Sequence, residues 1–447
     1  MPADAPFPAN ISDPSRVAPH RAWYAVCIFV LLYTISYVDR LILSLLAPAV
    51  SQSLSITDTQ IGVLIGLGFG VLYSLTGLPL AHILDQRRRV PLVALGVALW
   101  SCSTIASGFA PSFAWLLVFR SGVAVGEAVL SPAAISLIAD LFPREKRTLP
   151  TTVYTAVGAV MYSGSYIAGG AALQLATITA ARFGLEPWQL TLVFVGLPGL
   201  LLAPLLLFTI TEPARRDDVA TDQFATVAQA YAYLCREKKL YGGIFLGVAI
   251  IGMINFATTT WTPTLLIRGH GMSAPQAGYA YGTVGLLCGV LGAMCWPAVV
   301  SAWTRRGRRD ALVTVFALTQ TVTWLSFAVV GLARSEIILL VAAGIGTFFS
   351  TALGVLVPML IQLVTPGRMR ARVMALYLTA ASLVGLAGGP PLAALLSETF
   401  FSGRFAIGSG LAVLVLATGP VASIAIWLIH GPYRRALDEA EMRETAR

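Results

Sequence analysis

Apolar residues run along this chain in blocks of about 20, parted by short polar segments rich in Arg, with none of the short-range alternation of half-buried strands. A block of that length crosses a hydrocarbon layer of roughly 30 Å as a helix. Helices are the expected form, because a backbone group left unpaired in lipid costs several kcal/mol, and a barrel would show short alternating segments instead. The first six predicted spans cover roughly residues 23 to 47, 61 to 83, 91 to 110, 114 to 141, 150 to 175 and 189 to 210. The second six cover roughly 242 to 266, 277 to 302, 311 to 332, 336 to 365, 372 to 397 and 404 to 430.

One long polar connection interrupts this pattern, from about Thr211 to Leu240, with Glu212, Asp217, Asp218, Asp222 and a basic cluster from Arg236 to Lys239. It divides the chain into a six-helix bundle over 23–210, a linker over 211–241 and a second bundle over 242–430, flanked by polar segments 1–22 and 431–447. Loop motifs recur at an offset of roughly 220 residues: LDQRRRVP after the second span answers WTRRGRRDA after the eighth, and FPREKRT after the fourth answers TPGRMRAR after the tenth. Such weak internal symmetry is expected of a transporter whose substrate site lies between two halves near mid-membrane. The predicted fold class is thus an all-α integral membrane protein of twelve helices in two pseudo-symmetric bundles.

Composition agrees: 11% of residues are charged and 57% hydrophobic, against about a quarter charged in a soluble protein. The net charge of +9 would suit a nucleic-acid partner only if the basic residues formed one patch. Instead 24 of the 30 Lys and Arg fall in alternate loops, from Arg16 and Arg21 at the start to Arg434, Arg435, Arg443 and Arg447 at the end. The other loops hold only Arg182, Arg268, Arg334 and Arg404. By the positive-inside rule both termini are expected in the cytoplasm, in an inner membrane, and no nucleic-acid partner is expected. The first 22 residues contain several Pro and no apolar run, so the first span is expected to be a retained anchor.

Five cysteines (Cys27, Cys102, Cys235, Cys288, Cys295) lie in spans or in the linker and are expected to be small buried apolar groups without disulfides. Glycines at 66, 68 and 70 and at 164, 169 and 170 are expected to let helices approach closely. Pro132, Pro198 and Pro358 are expected to kink or interrupt their spans. The four histidines (His20, His82, His270, His430) have no metal-ligand spacing, and no H-E-x-x-H, G-x-S-x-G or nucleotide-binding loop occurs. Neither a metal, nor a cofactor, nor an enzymatic reaction is expected; the driving force should be a gradient.

A charge near the bilayer centre costs about 2.5 to 3.5 kcal/mol on insertion scales, so it needs a partner or a wet cavity. Four sit well inside spans: Asp39 and Arg40 in the first, Arg120 and Glu127 in the fourth. Seven residues separate Arg120 from Glu127, which puts them on one helix face with about 10 Å of rise between them. Depth makes Asp39 the expected partner of Arg120 and leaves Glu127 comparatively free. Glu127 and Asp39 are the expected proton carriers, with Arg120 switching partners. A static charge network is the competing reading. The second half has no acid in mid-span; its candidate cavity positions are Asn255, Thr258, Trp261, Tyr281, Phe348, Phe349, Ser350 and Tyr377, joined from the first span by Tyr37 and Arg40. Asp85 and Asp140, near Arg88, Arg89 and Arg147, are candidates for a cytoplasmic gate, and the tail RRALDEAEMRETAR for a surface or frayed helix.

Twelve spans, a central loop and Arg-rich loops after the second and eighth spans resemble the major facilitator superfamily over essentially the whole chain. Its Gly-x-x-x-Asp-Arg-x-Gly-Arg-Arg loop survives in part as AHILDQRRR, which keeps Asp85 but has Ala81, Gln86 and Arg88 where Gly, Arg and Gly are usual. SYVDRLILSLLAP and FRSGVAVGEAVLSPAAISLIADLFPREKRT resemble the Spinster family of lipid transporters, through Tyr37, Asp39 and Arg40 and through Arg120, Gly126, Glu127, Ala128, Ala139, Asp140, Leu141 and Phe142. Ser36 stands where that family has Asn, and the first motif is shared with sugar-acid and organic-anion symporters. The resemblance implies proton-linked transport of sphingolipid-like or lysophospholipid-like molecules, centred on Asp39, Arg120 and Glu127; separately, the protein is expected to be a monomer. The rival is an organic-anion symporter in which Arg120 and Arg40 hold a carboxylate.

Overall fold

Each apolar block is a helix in the structure, a computed structural model that describes residues 18–215 and 227–445. The first bundle comprises α1 (Pro19–Leu54), α2 (Asp58–Gln86), α3 (Arg89–Ser107), α4 (Phe113–Leu141), α5 (Thr148–Phe183) and α6 (Pro187–Thr209). After a short linker helix, α7 (Val227–Arg236), come α8 (Lys238–His270), α9 (Ala274–Arg305), α10 (Ala311–Leu332) and α11 (Glu336–Val364). Next is α12, which runs from Arg370–Ala380 through a π-helical turn, Ala381–Leu386, to Ala387–Phe400; α13 (Ala406–Leu428) and α14 (His430–Thr445) follow. Arg16, Arg216, Asp217, Asp218, Asp222 and Arg447 lie outside the described residues.

Several helices run past the predicted spans, because hydropathy marks only their lipid-immersed part while polar caps set their ends. Thr57 Oγ1 accepts from the Gln60 backbone N–H and the Gln60 side chain accepts from that of Thr57, starting α2; Ser273 and Gln276 do the same for α9. Alternate crossings put the loops after α2, α4, α6, α9 and α11 on one face with the start of α1, here the basic face. The other is the far face.

In the first bundle α1 packs on α5, and α3 on α4 and α6; in the second α8 and α10 pack on α13, and α10 also on α11. The bundles meet through α5 with α9, α2 with α12 and α1 with α8. Backbone contact needs the missing side chains of glycine: a Cβ on Gly66 would stand 2.5 Å from the Leu386 carbonyl oxygen, and one on Gly278 2.7 Å from that of Tyr166. Of the predicted packing glycines, Gly66, Gly68, Gly70, Gly169 and Gly170 face neighbours on other helices, whereas Gly164 meets only Met161 of its own helix.

Pro132 follows a break in α4 at residues 128 and 129, where its ring offers no N–H to the Ala128 carbonyl, while the helices of Pro198 and Pro358 continue through them without interruption. Two expectations need correction. None of the five free thiols is buried: Cys27, Cys102 and Cys235 are exposed and Cys288 and Cys295 half-buried. In lipid an apolar thiol gains nothing by hiding in the protein. The tail is a helix held by the protein itself: Tyr433 is buried and Arg434 lies 2.7 Å from Asp310.

Candidate functional site

The four intramembrane charges form two ion pairs between α1 and α4. Arg120 Nη1 donates to Asp39 Oδ1 at 2.9 Å, and Thr104 of α3 donates to Asp39 Oδ2. Arg40 Nη2 donates to Glu127 Oε2 at 2.7 Å, with Nε at 3.3 Å. The expected Asp39–Arg120 pair is therefore present. The free Glu127 is corrected: depth matching passed over Arg40, which sits about 100° around α1 from Asp39 and meets α4 at Glu127, two turns beyond Arg120.

Asp39, Arg120 and Glu127 are buried, while the Arg40 side chain keeps 21% of its surface exposed. The guanidinium of Arg40 lies 5.5, 5.0 and 4.9 Å from the ring centres of Tyr37, Phe69 and Tyr73, and Phe69 also faces Arg120 at 5.9 Å. Rings present a negative face to a cation, so the cage stabilises Arg40 independently of Glu127. Three polar atoms of the network are buried without partners among the described residues: Arg120 Nε, Arg120 Nη2 and Glu127 Oε1. A network left short in this way is poised for a proton, a water or a ligand group.

A cavity of about 370 Å³ lies between the bundles, lined among others by Gly158 and Tyr162 of α5, Asn255 and Phe256 of α8, and Thr347 and Ser350 of α11. It adjoins the charge network through Gly158, where a Cβ would stand 3.1 Å from the Tyr37 hydroxyl and 3.3 Å from that of Tyr33. Tyr33 stacks on Tyr154 at 4.8 Å, and the Tyr154 hydroxyl lies 3.2 Å from that of Ser131. A belt of hydroxyls thus separates the cavity from Arg40.

Of the predicted cavity residues, Asn255 and Ser350 line this space. Phe348 and Phe349 pack beside Trp296, with ring centres at 5.1 and 5.0 Å. Thr258, Trp261, Tyr281 and Tyr377 do not line it in this conformation, where all four are buried. Trp261 Nε1 donates to the Pro390 carbonyl at 2.8 Å, and Tyr281 stands edge-on to Tyr166 at 5.0 Å, inside the seal that closes the far half. Tyr33, Phe69, Tyr73, Thr104 and Gly158 were missed; the spacing of Tyr33, Tyr37 and Arg40 on one face of α1 was the available signal.

Polar contacts join the bundles across the far half. Arg268 of α8 lies 2.6 Å from Asp58 of α2, and Glu398 of α12 accepts from the Thr59 N–H at 3.0 Å and its hydroxyl at 2.5 Å. Tyr166 of α5 donates to the Thr259 carbonyl of α8 at 2.8 Å, and Tyr279 of α9 to Gln174 of α5 at 2.7 Å. At the basic face side chains pair within each bundle, in the second through Tyr241 with Thr365 and Arg434 with Asp310. In the first, Arg89, buried, lies 2.5 Å from Asp140 and 2.9 Å from Glu212, while Arg215 donates to the Asp85 carbonyl and Arg147 to that of Phe142 at 2.9 Å. Arg88 is exposed. The far side is shut.

Residues 29–318 match the family model of the Major Facilitator Superfamily. The chain belongs to that superfamily. It is 30% identical to an MFS-type efflux pump of Mycolicibacterium smegmatis, over 95% of this chain and 96% of the relative. It is 26% identical to protein spinster homolog 1 of Xenopus laevis, over 85% and 74%. Its fold matches the crystal structure of a bacterial homolog of the human lysosomal transporter Spinster in an inward-facing, unoccupied conformation, with a TM-score of 0.81, 23% identity and coverage of 95% and 99%. This is a multi-pass membrane protein with the family and fold of transporters, resembling Spinster.

Proposed function

We propose that this protein is a proton-coupled secondary transporter that moves an amphipathic, lipid-like substrate of sphingolipid or lysophospholipid type by alternating access. It works in the cytoplasmic membrane with both termini in the cytoplasm, as a monomer, and takes its driving force from the proton gradient without a cofactor. The observation that carries the reading is the two ion pairs between α1 and α4, set behind a belt of tyrosine hydroxyls beside a cavity between the bundles. Protonation of Glu127 ends its attraction for Arg40, which the rings of Tyr37, Phe69 and Tyr73 still retain. The α1 to α4 contact then weakens, and Arg40 becomes available to a polar headgroup at the hydroxyl belt. Small and apolar lining beyond that belt suits a hydrocarbon tail.

Two unpartnered nitrogens, Nε and Nη2, on buried Arg120 favour a second reading, an organic-anion or sugar-acid symporter in which Arg120 and Arg40 bind a carboxylate. Uptake of a fluorescent lysophospholipid and of labelled sugar acids by purified protein in liposomes, with and without a pH gradient, separates the two. Gradient-dependent lysophospholipid movement that disappears in Glu127→Gln is the expected result. Sugar-acid uptake alone would replace the first reading by the second.

A further inference from the structure

The far loops hold few basic residues, as the positive-inside rule requires, yet three of their four arginines converge on one corner of the second bundle. Arg268 is engaged with Asp58. The guanidinium groups of Arg334, before α11, and Arg404, before α13, lie 4.3 and 4.9 Å from the ring centre of the same residue, Phe405. Those distances keep the two charges within about 9 Å of each other. Among the described residues neither has an acidic partner within ion-pair distance.

His270, at the end of α8, stands edge-on to Phe405 at 5.4 Å, and its Nε2 is buried without a partner among the described residues. It also lines a cavity of about 540 Å³ at this corner, together with Met272, Gln276, Tyr279 and Glu336. Arg334, Arg404 and Glu336 all act electrostatically on His270, so the four groups form one charge cluster. Two cations held near one ring repel each other, and the ring's attraction, about 0.5–1 kcal/mol each at an exposed site, offsets only part of that. Contact with a ring face uses up no N–H donor, so the guanidinium N–H groups remain able to receive the oxygens of an oxyanion.

We propose that Arg334, Arg404 and His270 form a phosphate-binding site at the far face, taking either the headgroup of a phospholipid in that leaflet or free phosphate. Glu336 opposes the anion and limits its affinity. The site stands apart from the α1 and α4 charge network and does not depend on how that network is used.

Two binding measurements on the purified full chain test this. Labelled inorganic phosphate is titrated onto protein in detergent, and native mass spectrometry counts lipids retained from nanodiscs of phosphatidylglycerol or of phosphatidylcholine. Retention of phosphatidylglycerol without phosphate binding supports a lipid headgroup site; phosphate binding without lipid retention supports a soluble ligand. In either case Arg334→Gln with Arg404→Gln weakens binding by about tenfold or more, as loss of two charge-assisted contacts should. Glu336→Gln tightens it, and Arg182→Gln, at a far-face arginine outside the cluster, leaves it unchanged. Absence of both ligands, or equal binding by the double variant, overturns the site.

Discussion

Arg268 Nη1 lies 2.6 Å from Asp58 Oδ2, and this ion pair ties α8 of one bundle to α2 of the other at the far face. The alternating access proposed above requires it to break. Both side chains keep some exposure, so the pair is worth about 1 kcal/mol, equivalent to a roughly fivefold change in the ratio of two conformations. Asp58→Asn should therefore raise the far-open population by about that factor. Distances between spin labels on the far ends of α2 and α8 report it; an unchanged distance distribution would show that the latch holds nothing.

The two intramembrane pairs should respond differently to neutralisation. Arg120 and Asp39 are both buried, and removing one partner of a buried pair costs about 3–5 kcal/mol. Glu127→Gln strands a cation that is partly exposed and lies against three rings. Asp39→Asn should consequently lower the thermal midpoint of the purified protein more than Glu127→Gln does. Glu127→Gln should abolish the pH dependence of transport while leaving a folded protein. The reverse order of midpoints would refute the distinction between the pairs.

Hydropathy alone revealed the twelve helices and the division after α6, because lipid forces every spanning segment to pair its own backbone. Asp39 and Arg120 could be paired by depth. The partner of Glu127 could not, since Arg40 is adjacent to Asp39 in sequence and only rotation about α1 separates their targets. Thr258, Trp261 and Tyr281 looked like cavity residues because polar and aromatic groups in a span suggest a wet wall. In this conformation the same groups seal the far half, and a sequence carries no mark of which half is closed. The latch residues Asp58, Arg268 and Glu398 sit at helix ends, where charges are cheap and their pairing depends on how two distant segments meet.

Gly158 is the point at which the cavity wall reaches the hydroxyl groups of Tyr33 and Tyr37. A methyl group there would stand 3.1 Å from the Tyr37 oxygen, tight but within reach of a small shift. A Leu side chain would fill the passage, and overpacking of that kind costs about 1–3 kcal/mol. Gly158→Ala should keep most transport, while Gly158→Leu should raise the half-saturating substrate concentration by about tenfold or more. Concentration series in liposomes measure both, and equal uptake by the two variants would place the substrate path elsewhere.

The docking of α14 should depend on pH through Asp310. The hydrogen bond from Arg434 holds the Asp310 carboxyl below its ordinary value, and the nearby charges of Arg434 and Arg308 act in the same direction. A carboxylate depressed in the folded state stabilises above its unfolded value and loses that contribution as pH falls through the folded one. The pair is therefore intact from neutral pH down to about 4, near the unfolded value for Asp, and weakens only below that. Because Arg434 is 61% exposed, the contribution is at most about 1 kcal/mol. Asp310→Asn should thus speed backbone hydrogen exchange in α14 by no more than about fivefold at pH 7, with the difference from the parent protein fading below pH 4. Exchange in the variant equal to that of the parent at pH 7 would assign the anchoring of α14 to the burial of Tyr433 instead.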